Sequence, residues 1–215
     1  GFIGTGPYKF VQWVEGEYIE LARNEDYYKE GGYIDTIIFK FVPDYNTQLT
    51  QLKTGEVQFA MGLPTDMYEE LASLPGIVTE AAPLNAWGHI DFNFKNEILG
   101  NNLTVRRALN YLTDKQGYVD DLMLGLPVVT NSIWMPTDKY HNDNLPEHEY
   151  SIEKAIALLE EDGWMPGADG VREKDGQRLE FMFLGRTGQP DEAKIQQVFA
   201  EACAQAGIKI NINNM

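Results

Sequence analysis

Apolar positions recur along the chain in two rhythms, a two-residue alternation typical of strands and a three-to-four-residue spacing typical of helices. Tyr8 to Trp13 and Tyr18 to Ala22 are short aromatic and β-branched runs separated by Glu15-Gly16-Glu17, which predicts a hairpin. Ile34 to Val42 is strongly β-prone, with Ile37, Phe39 and Phe41 on one face and Ile38, Lys40 and Val42 on the other. Pro43-Asp44 stops that strand and offers Asp44 as the N-cap of a helix whose apolar side is Leu49 and Leu52 and whose C′ residue is Gly55. Val57 to Ala60 reads as a buried strand. Pro64 to Leu74 reads as a helix capped by Thr65 or Asp66 and stopped by Pro75-Gly76, and Ile77 to Ala81 and Ala86 to Phe92 as two further strands.

The second half opens with a helix over Leu103 to Leu112, whose spacing puts Val105, Ala108, Leu109 and Leu112 on the buried side, opposite Leu103, Arg107 and Tyr111. A shorter helix runs from Lys115 to Leu124 and ends at Gly125, and Val128 to Tyr140 is an irregular loop. Ser151 caps a helix with Ala155, Ile156, Leu158 and Leu159 inside, ended by Gly163. Asp169-Gly170 and Asp175-Gly176 are turn dipeptides around a charged hairpin that leads into a strand over Leu179 to Leu184. A long helix, Asp191 to Ala206, is closed by Gly207 before a strand over Ile208 to Ile212. Strands and helices alternating throughout imply an α/β or mixed-sheet architecture.

At about 150 residues per domain, 215 residues make between one and two domains. A chain this long can bury about seven-tenths of its surface without disulfides or metal. Hydrophobic residues at 43% and charged residues at 23% are globular values, which excludes a disordered or collagen-like chain. No apolar run approaches the roughly 20 residues a membrane helix needs. The net charge of −16 repels phosphate backbones and anionic lipid, so no nucleic-acid partner is expected. Between His141 and Asp175 ten carboxylates face only Lys154, Arg172 and Lys174, a solvated acidic face. Cys203, the single cysteine, sits on a helical pattern with Ala202, Ala204 and Ala206 and reads as a small buried residue. The chain starts at a glycine and stops straight after an apolar alternation, so we expect a piece of a longer chain.

The sequence carries no catalytic constellation. Gly4-Thr5-Gly6-Pro7 is too short for a phosphate cradle, and Pro7 removes an amide that such a nest uses. No GxSxG elbow occurs. His141 and His148 bracket Asn142 to Glu147, a metal cluster by composition but in a proline-containing loop without ligand spacing. Asp169 to Asp175 lacks the alternating oxygens of a calcium loop. Glu160, Glu161 and Asp162 are consecutive on a helix and fan outward instead of converging as an acid–base pair. Asn102-Leu103-Thr104 is a glycosylation triplet in form, at the start of a helix.

One segment stands apart. In Trp87-Gly88-His89-Ile90-Asp91-Phe92-Asn93, strand alternation puts Trp87, His89, Asp91 and Asn93 on one side and Gly88, Ile90 and Phe92 on the other. Burying such a polar row unpaired is costly. The row is therefore either a face covered by water and loops or the lining of a polar ligand cleft, with Trp87 as a stacking wall.

The order of motifs resembles a known family. Gly4-Thr5-Gly6-Pro7-Tyr8, then Arg23-Asn24 with Asp26-Tyr27, resembles the GTGPY and RNPDYW signatures of the family 5 extracellular solute-binding proteins, the peptide, nickel and oligosaccharide receptors of ABC importers. Pro43-Asp44, Thr47, Leu52 and Thr54-Gly55-Glu56-Val57 are similar to its PDxxTRLxxLQTGEVD stretch. Asn93, the run Val105 to Tyr111 and Asp114-Lys115 resemble N…VRVRQALNYAIDR, and Tyr150, Glu153-Lys154-Ala155, Leu158-Leu159 and Gly163-Trp164 resemble YDPEKAKALLEEAGW. Asp175-Gly176 and Ala206-Gly207-Ile208 complete the order. The chain departs from the pattern at Glu25, Tyr28, Gln48, Gln58 and Thr104.

The resemblance implies a two-lobed, periplasmic-binding-protein-like type II α/β fold with mixed sheets, partly covered by this chain. Residues 1–86 would belong to the first lobe, 87–93 to a strand crossing the hinge, and 94–215 to the start of the second lobe. It further implies an extracytoplasmic protein, periplasmic or a cell-surface lipoprotein, that is no enzyme and carries no cofactor. Such a protein captures a small molecule, peptide foremost, in the interlobe cleft and docks to ABC permease subunits. Trp87, His89, Asp91 and Asn93 would then lie on the cleft floor, with Met61, Gly62 and Leu63 at another edge, because ligands favour the carboxyl ends of strands. Trp87 suits sugar stacking while His89 and Asp91 suit a cation or an amine, so oligosaccharide and nickel complex are the alternative ligands. A sensory or scaffold module is the alternative of another class. Lobe surface and sheet edges left open in an excised piece imply self-association.

Overall fold

The computed structural model describes residues 3–82, 86–146 and 149–215. The chain forms two compact units, Gly1–Leu63 and Pro64–Met215.

The first unit is an antiparallel sheet of β1 (Tyr8–Val14), β2 (Tyr18–Arg23) and β3 (Thr36–Lys40) in that order, followed by α1 (Tyr45–Thr54). The β1–β2 turn forms where Gly16 takes φ +76° and Glu17 N–H donates to Val14 O, as the Glu-Gly-Glu triplet predicts. Val11 is bulged out of register, because Phe10 pairs with Leu21 while Gln12 pairs with Glu20. The bulge brings Phe10 and Trp13 to the same face, opposite Leu21 and Ile19, and β3 adds Ile37 and Phe39 to that face. β3 is shorter than the sequence run, ending at Lys40. Asp44 caps α1 by accepting from Thr47 N–H and Oγ1–H, which holds its carboxyl below the usual range, and Gly55 closes the helix in the left-handed conformation. The expected strand Val57–Ala60 is absent: no ladder forms and Phe59 is 78% exposed.

The second unit carries a contiguous core. After a short 3₁₀ turn, Thr65–Met67, come α2 (Tyr68–Ala72), α3 (Glu97–Asn101), α4 (Leu103–Tyr111) and α5 (Lys115–Gly117), the last running on into a π turn, Tyr118–Leu122. Then follow α6 (Ile152–Glu161), the small sheet β4 (Met165–Pro166), β5 (Arg172–Lys174) and β6 (Gln177–Arg178), and the parallel unit β7 (Glu180–Gly185), α7 (Pro190–Gln205) and β8 (Lys209–Asn214). Val105, Ala108, Leu109 and Leu112 of the α4 stripe, Ala155 and Leu159 of α6, and Trp164, Leu179, Phe199 and Ile208 form one cluster. The helix periodicities therefore read the buried stripes of α4 and α6, except that Tyr111, expected on the opposite side, is partly buried against the cluster. Asp175 and Gly176, both at positive φ, make the turn of the charged hairpin. Two other expectations fail: Ile77–Ala81 and Ala86–Phe92 join no ladder among the described residues. β-prone composition marks a half-buried extended segment but does not supply a partner strand.

Arg172 welds this unit together. Its side chain is buried, with Nε donating to Ala206 O (2.7 Å), Nη1 to Trp164 O (2.8 Å) and Nη2 to Glu160 Oε1 (3.0 Å). One guanidinium thus satisfies the carbonyl of Trp164, in the segment after α6, and that of Ala206, the C-cap of α7. Gly207 is required beside it, since a Cβ there would sit 2.9 Å from Arg172 Cγ and from Gly170 O.

Candidate functional site

Residues 87–93 keep the predicted two-sided alternation without belonging to a sheet. Ile90 and Phe92 pack against the core of the second unit, while Trp87, His89, Asp91 and Asn93 face outward. Burial of the two apolar side chains therefore sets the direction of the polar row. The Trp87 and His89 rings lie 4.0 Å apart between centroids at 44°, and His89 Nε2 is 2.9 Å from Asp91 Oδ2. An ionised Asp91 can only accept, so Nε2–H points at it and Nδ1 is left as an acceptor, or as a second donor once the ring is protonated. Indole face, imidazole edge and carboxylate form a continuous surface, able to stack a flat or apolar group and to bind a cation or amine. Asn93 departs from the row's chemistry: its Oδ1 accepts from Lys95 N–H at 3.0 Å, and its carbonyl accepts from Asn96 N–H as the chain turns into α3.

Met61, Gly62 and Leu63 close the first unit. Met61 is 74% exposed, Gly62 sits at φ +71° in open space and Leu63 is half-buried. Two surface depressions, of about 330 and 260 Å³, lie elsewhere, the first lined by Arg23, Tyr27 and Tyr33 and the second by Asn102, Trp164 and Lys174.

The other sequence features resolve into structure. His141 Nδ1 lies 2.7 Å from Trp134 O, while His148 and Glu147 fall outside the described residues. Glu160 serves Arg172, and Asp162 accepts from Asn102 Nδ2, Trp164 Nε1 and Lys174 Nζ, which together hold its carboxyl below the usual range against the opposing effect of burial. Arg178 pairs with Asp169 and Glu173, so this acidic stretch is a hairpin held by ion pairs. Cys203 is fully buried and burial pushes its thiol up, far from thiolate chemistry.

Sequence reasoning misassigned one polar group. Neither Thr65 nor Asp66 caps the helix after Pro64 from within; instead Asp191 Oδ2, in the first turn of α7, accepts from Thr65 N–H (3.2 Å) and Thr65 Oγ1–H (2.7 Å). The cap-type residues at 65 and 66 were legible, but not a partner 126 positions away.

Residues 1–215 match the family model described as bacterial extracellular solute-binding proteins, family 5 Middle. The chain belongs to this family. It is 32% identical over 213 residues to the oligopeptide-binding protein AppA of Bacillus subtilis, covering 97% of this chain and 38% of that protein. Its likeness to the AppA structure solved with a nonapeptide has a TM-score of 0.79 at 29% identity, over 98% of this chain and 42% of that one. The nickel-binding periplasmic protein of Escherichia coli is 32% identical over 190 residues, 85% of this chain and 36% of that protein. NikZ of Campylobacter jejuni, solved with Ni(L-His), superposes with a TM-score of 0.88 at 29% identity, over 98% of this chain and 42% of that one. The chain therefore spans well under half the length of these relatives, and its mixed α/β fold is part of the family's binding-protein fold. Among the described residues no helix is long and apolar enough to cross a membrane.

Proposed function

We propose that this chain is part of an extracytoplasmic substrate-binding component of an ABC importer, which captures short peptides between two lobes and delivers them to a membrane permease without catalysing a reaction. In this reading residues 1–86 belong to the first lobe, 87–93 cross the hinge and 94–215 open the second lobe. The observation that carries it is the Trp87–His89–Asp91 surface, held outward by Ile90 and Phe92. A carboxylate beside an aromatic wall suits a peptide's ammonium terminus and first side chain. Ligand touching both lobes makes all its contacts only in the closed form, so binding draws the hinge equilibrium toward closure.

A second reading, capture of a nickel–histidine complex, is favoured by the imidazole–carboxylate pair and by the likeness to NikZ. Titration calorimetry on the intact gene product, with a pentapeptide and with Ni(II) plus L-histidine as probes, separates the two. Trp87→Ala and Asp91→Asn are each expected to weaken the winning probe about tenfold, equivalent to about 1.4 kcal/mol. Unchanged affinity in both variants would remove these residues from the site.

A further inference from the structure

The outward row of residues 87–93 ends at a corner held by directional contacts. Asn93 turns the chain by accepting from Lys95 N–H and Asn96 N–H. Asn96 Oδ1 then accepts from Ile98 N–H (3.1 Å) and Leu99 N–H (2.9 Å), which starts α3. Gly100 lies directly against the Phe94 carbonyl, where a Cβ would sit 2.3 Å from Phe94 O. Only glycine admits that approach. Arg106, on α4, closes the corner. Its Nη1 donates to Leu99 O (2.6 Å) and Gly100 O (3.3 Å), and its guanidinium carbon lies 5.1 Å from the centre of the Phe94 ring. In a chain with 33 acidic residues, Arg106 pairs with no carboxylate among the described residues; its charge goes to two carbonyls and a ring. α4 itself is fixed, since Val105, Ala108 and Leu109 around Arg106 belong to the core. Phe94 is 66% exposed, so the cation over its face, not core packing, is what holds the ring.

We infer that Arg106 is a positioning residue for the Trp87–His89–Asp91 surface, fixing the end of that row to α4 through the Phe94 ring and two α3 carbonyls. The inference rests on the binding reading and deepens it, because it names a side chain that sets where the ligand-facing groups stand without itself facing the ligand. Residues 87–92 join no ladder among the described residues, so no strand partner sets their register. Ile90 and Phe92 decide which way the row faces, but apolar burial is non-directional and does not stop the row from sliding over the core. The corner removes that freedom with hydrogen bonds and a close backbone contact. The register of the row is inherited from this end.

The test is fluorine NMR on the intact gene product labelled with 5-fluorotryptophan, the Trp87 resonance being assigned by its loss in Trp87→Phe. Without any probe, Arg106→Met and Phe94→Leu are each expected to shift or broaden that resonance. Arg106→Lys, which keeps a cation over the ring but not the fork, is expected to shift it less. Phe94→Leu changes a mostly exposed ring and leaves the core intact. Arg172→Met, which weakens the same unit around Glu160, Trp164 and Ala206, is expected to leave the Trp87 resonance in place. Pentapeptide or Ni(II) plus L-histidine, whichever the wild type captures, is expected to bind Arg106→Met about two- to fivefold more weakly, the loss of one cation–π contact. A Trp87 resonance unmoved in both Arg106→Met and Phe94→Leu, an equal displacement in Arg172→Met, or unchanged probe affinity would each overturn the inference. Absence of probe binding in the wild type would sink the binding reading instead, and the probe-free resonances would still decide whether Arg106 fixes the row.

Discussion

The two units hold similar apolar patterns and treat them differently. In the first, the sheet gathers Phe10, Trp13, Ile19, Leu21, Ile37 and Phe39 on one face, yet Trp13 is 59% and Phe39 53% exposed, and Leu49 is the one buried residue among those described. In the second, Trp164 is 1% exposed and Leu179 and Ile208 are fully enclosed beneath α4, α6 and α7. Alternation marks a face that favours burial; whether it is covered depends on what packs on it.

The comparison breaks most readily at the two tryptophans. Trp164→Ala is expected to destabilise the second unit by about 3–5 kcal/mol through the cavity it leaves, and Trp13→Ala to change stability by less than about 1 kcal/mol. Urea unfolding of both variants checks this, and similar losses would mean that the first unit is as tightly organised as the second. Arg172→Met comes next, with an expected loss of about 3 kcal/mol from the stranded carbonyls of Ala206 and Trp164. Arg172→Lys is expected to recover little of it, because one ammonium cannot reproduce the fork; full recovery would assign the role to charge alone.

The smallest effect is a pH dependence. Asp162 is held below its ordinary value of 3.8, first by Asn102 and then by Lys174 and Trp164. A depressed carboxyl contributes stability above the unfolded value and loses it as pH falls through the folded one. The melting temperature of the second unit is therefore expected to decline below about pH 4. Asp162→Asn should lower it at neutral pH and flatten part of the acid limb; an unchanged limb would shift the effect to other carboxylates.

Where a residue's partners lie within a turn or two, the sequence was enough. The stripes of α4 and α6, the caps Asp44 and Ser151, and the Asp175-Gly176 turn were all legible because periodicity and local hydrogen bonding decide them. The alternation at 87–93 also foretold which side chains face outward, and so the candidate surface. What failed depended on distant chain: partner strands for 57–60, 77–81 and 86–92, the burial of Arg172, and the capping of Thr65 by Asp191. Propensity describes what a segment tolerates, and pairing across a hundred residues leaves no mark in its own composition.

The β7–α7–β8 unit also bears on folding kinetics. Its strands pair in parallel from Glu180–Lys209 to Gly185–Asn214 with a single helix between them. Each pair is 29 positions apart (209 − 180), so the parallel ladder forms only after a helix-length loop has been closed, a slow kind of contact. The amides of this unit, paired and backed by Phe181 and Phe199, should be among the last to exchange with solvent, long after those of the first unit's uncovered sheet.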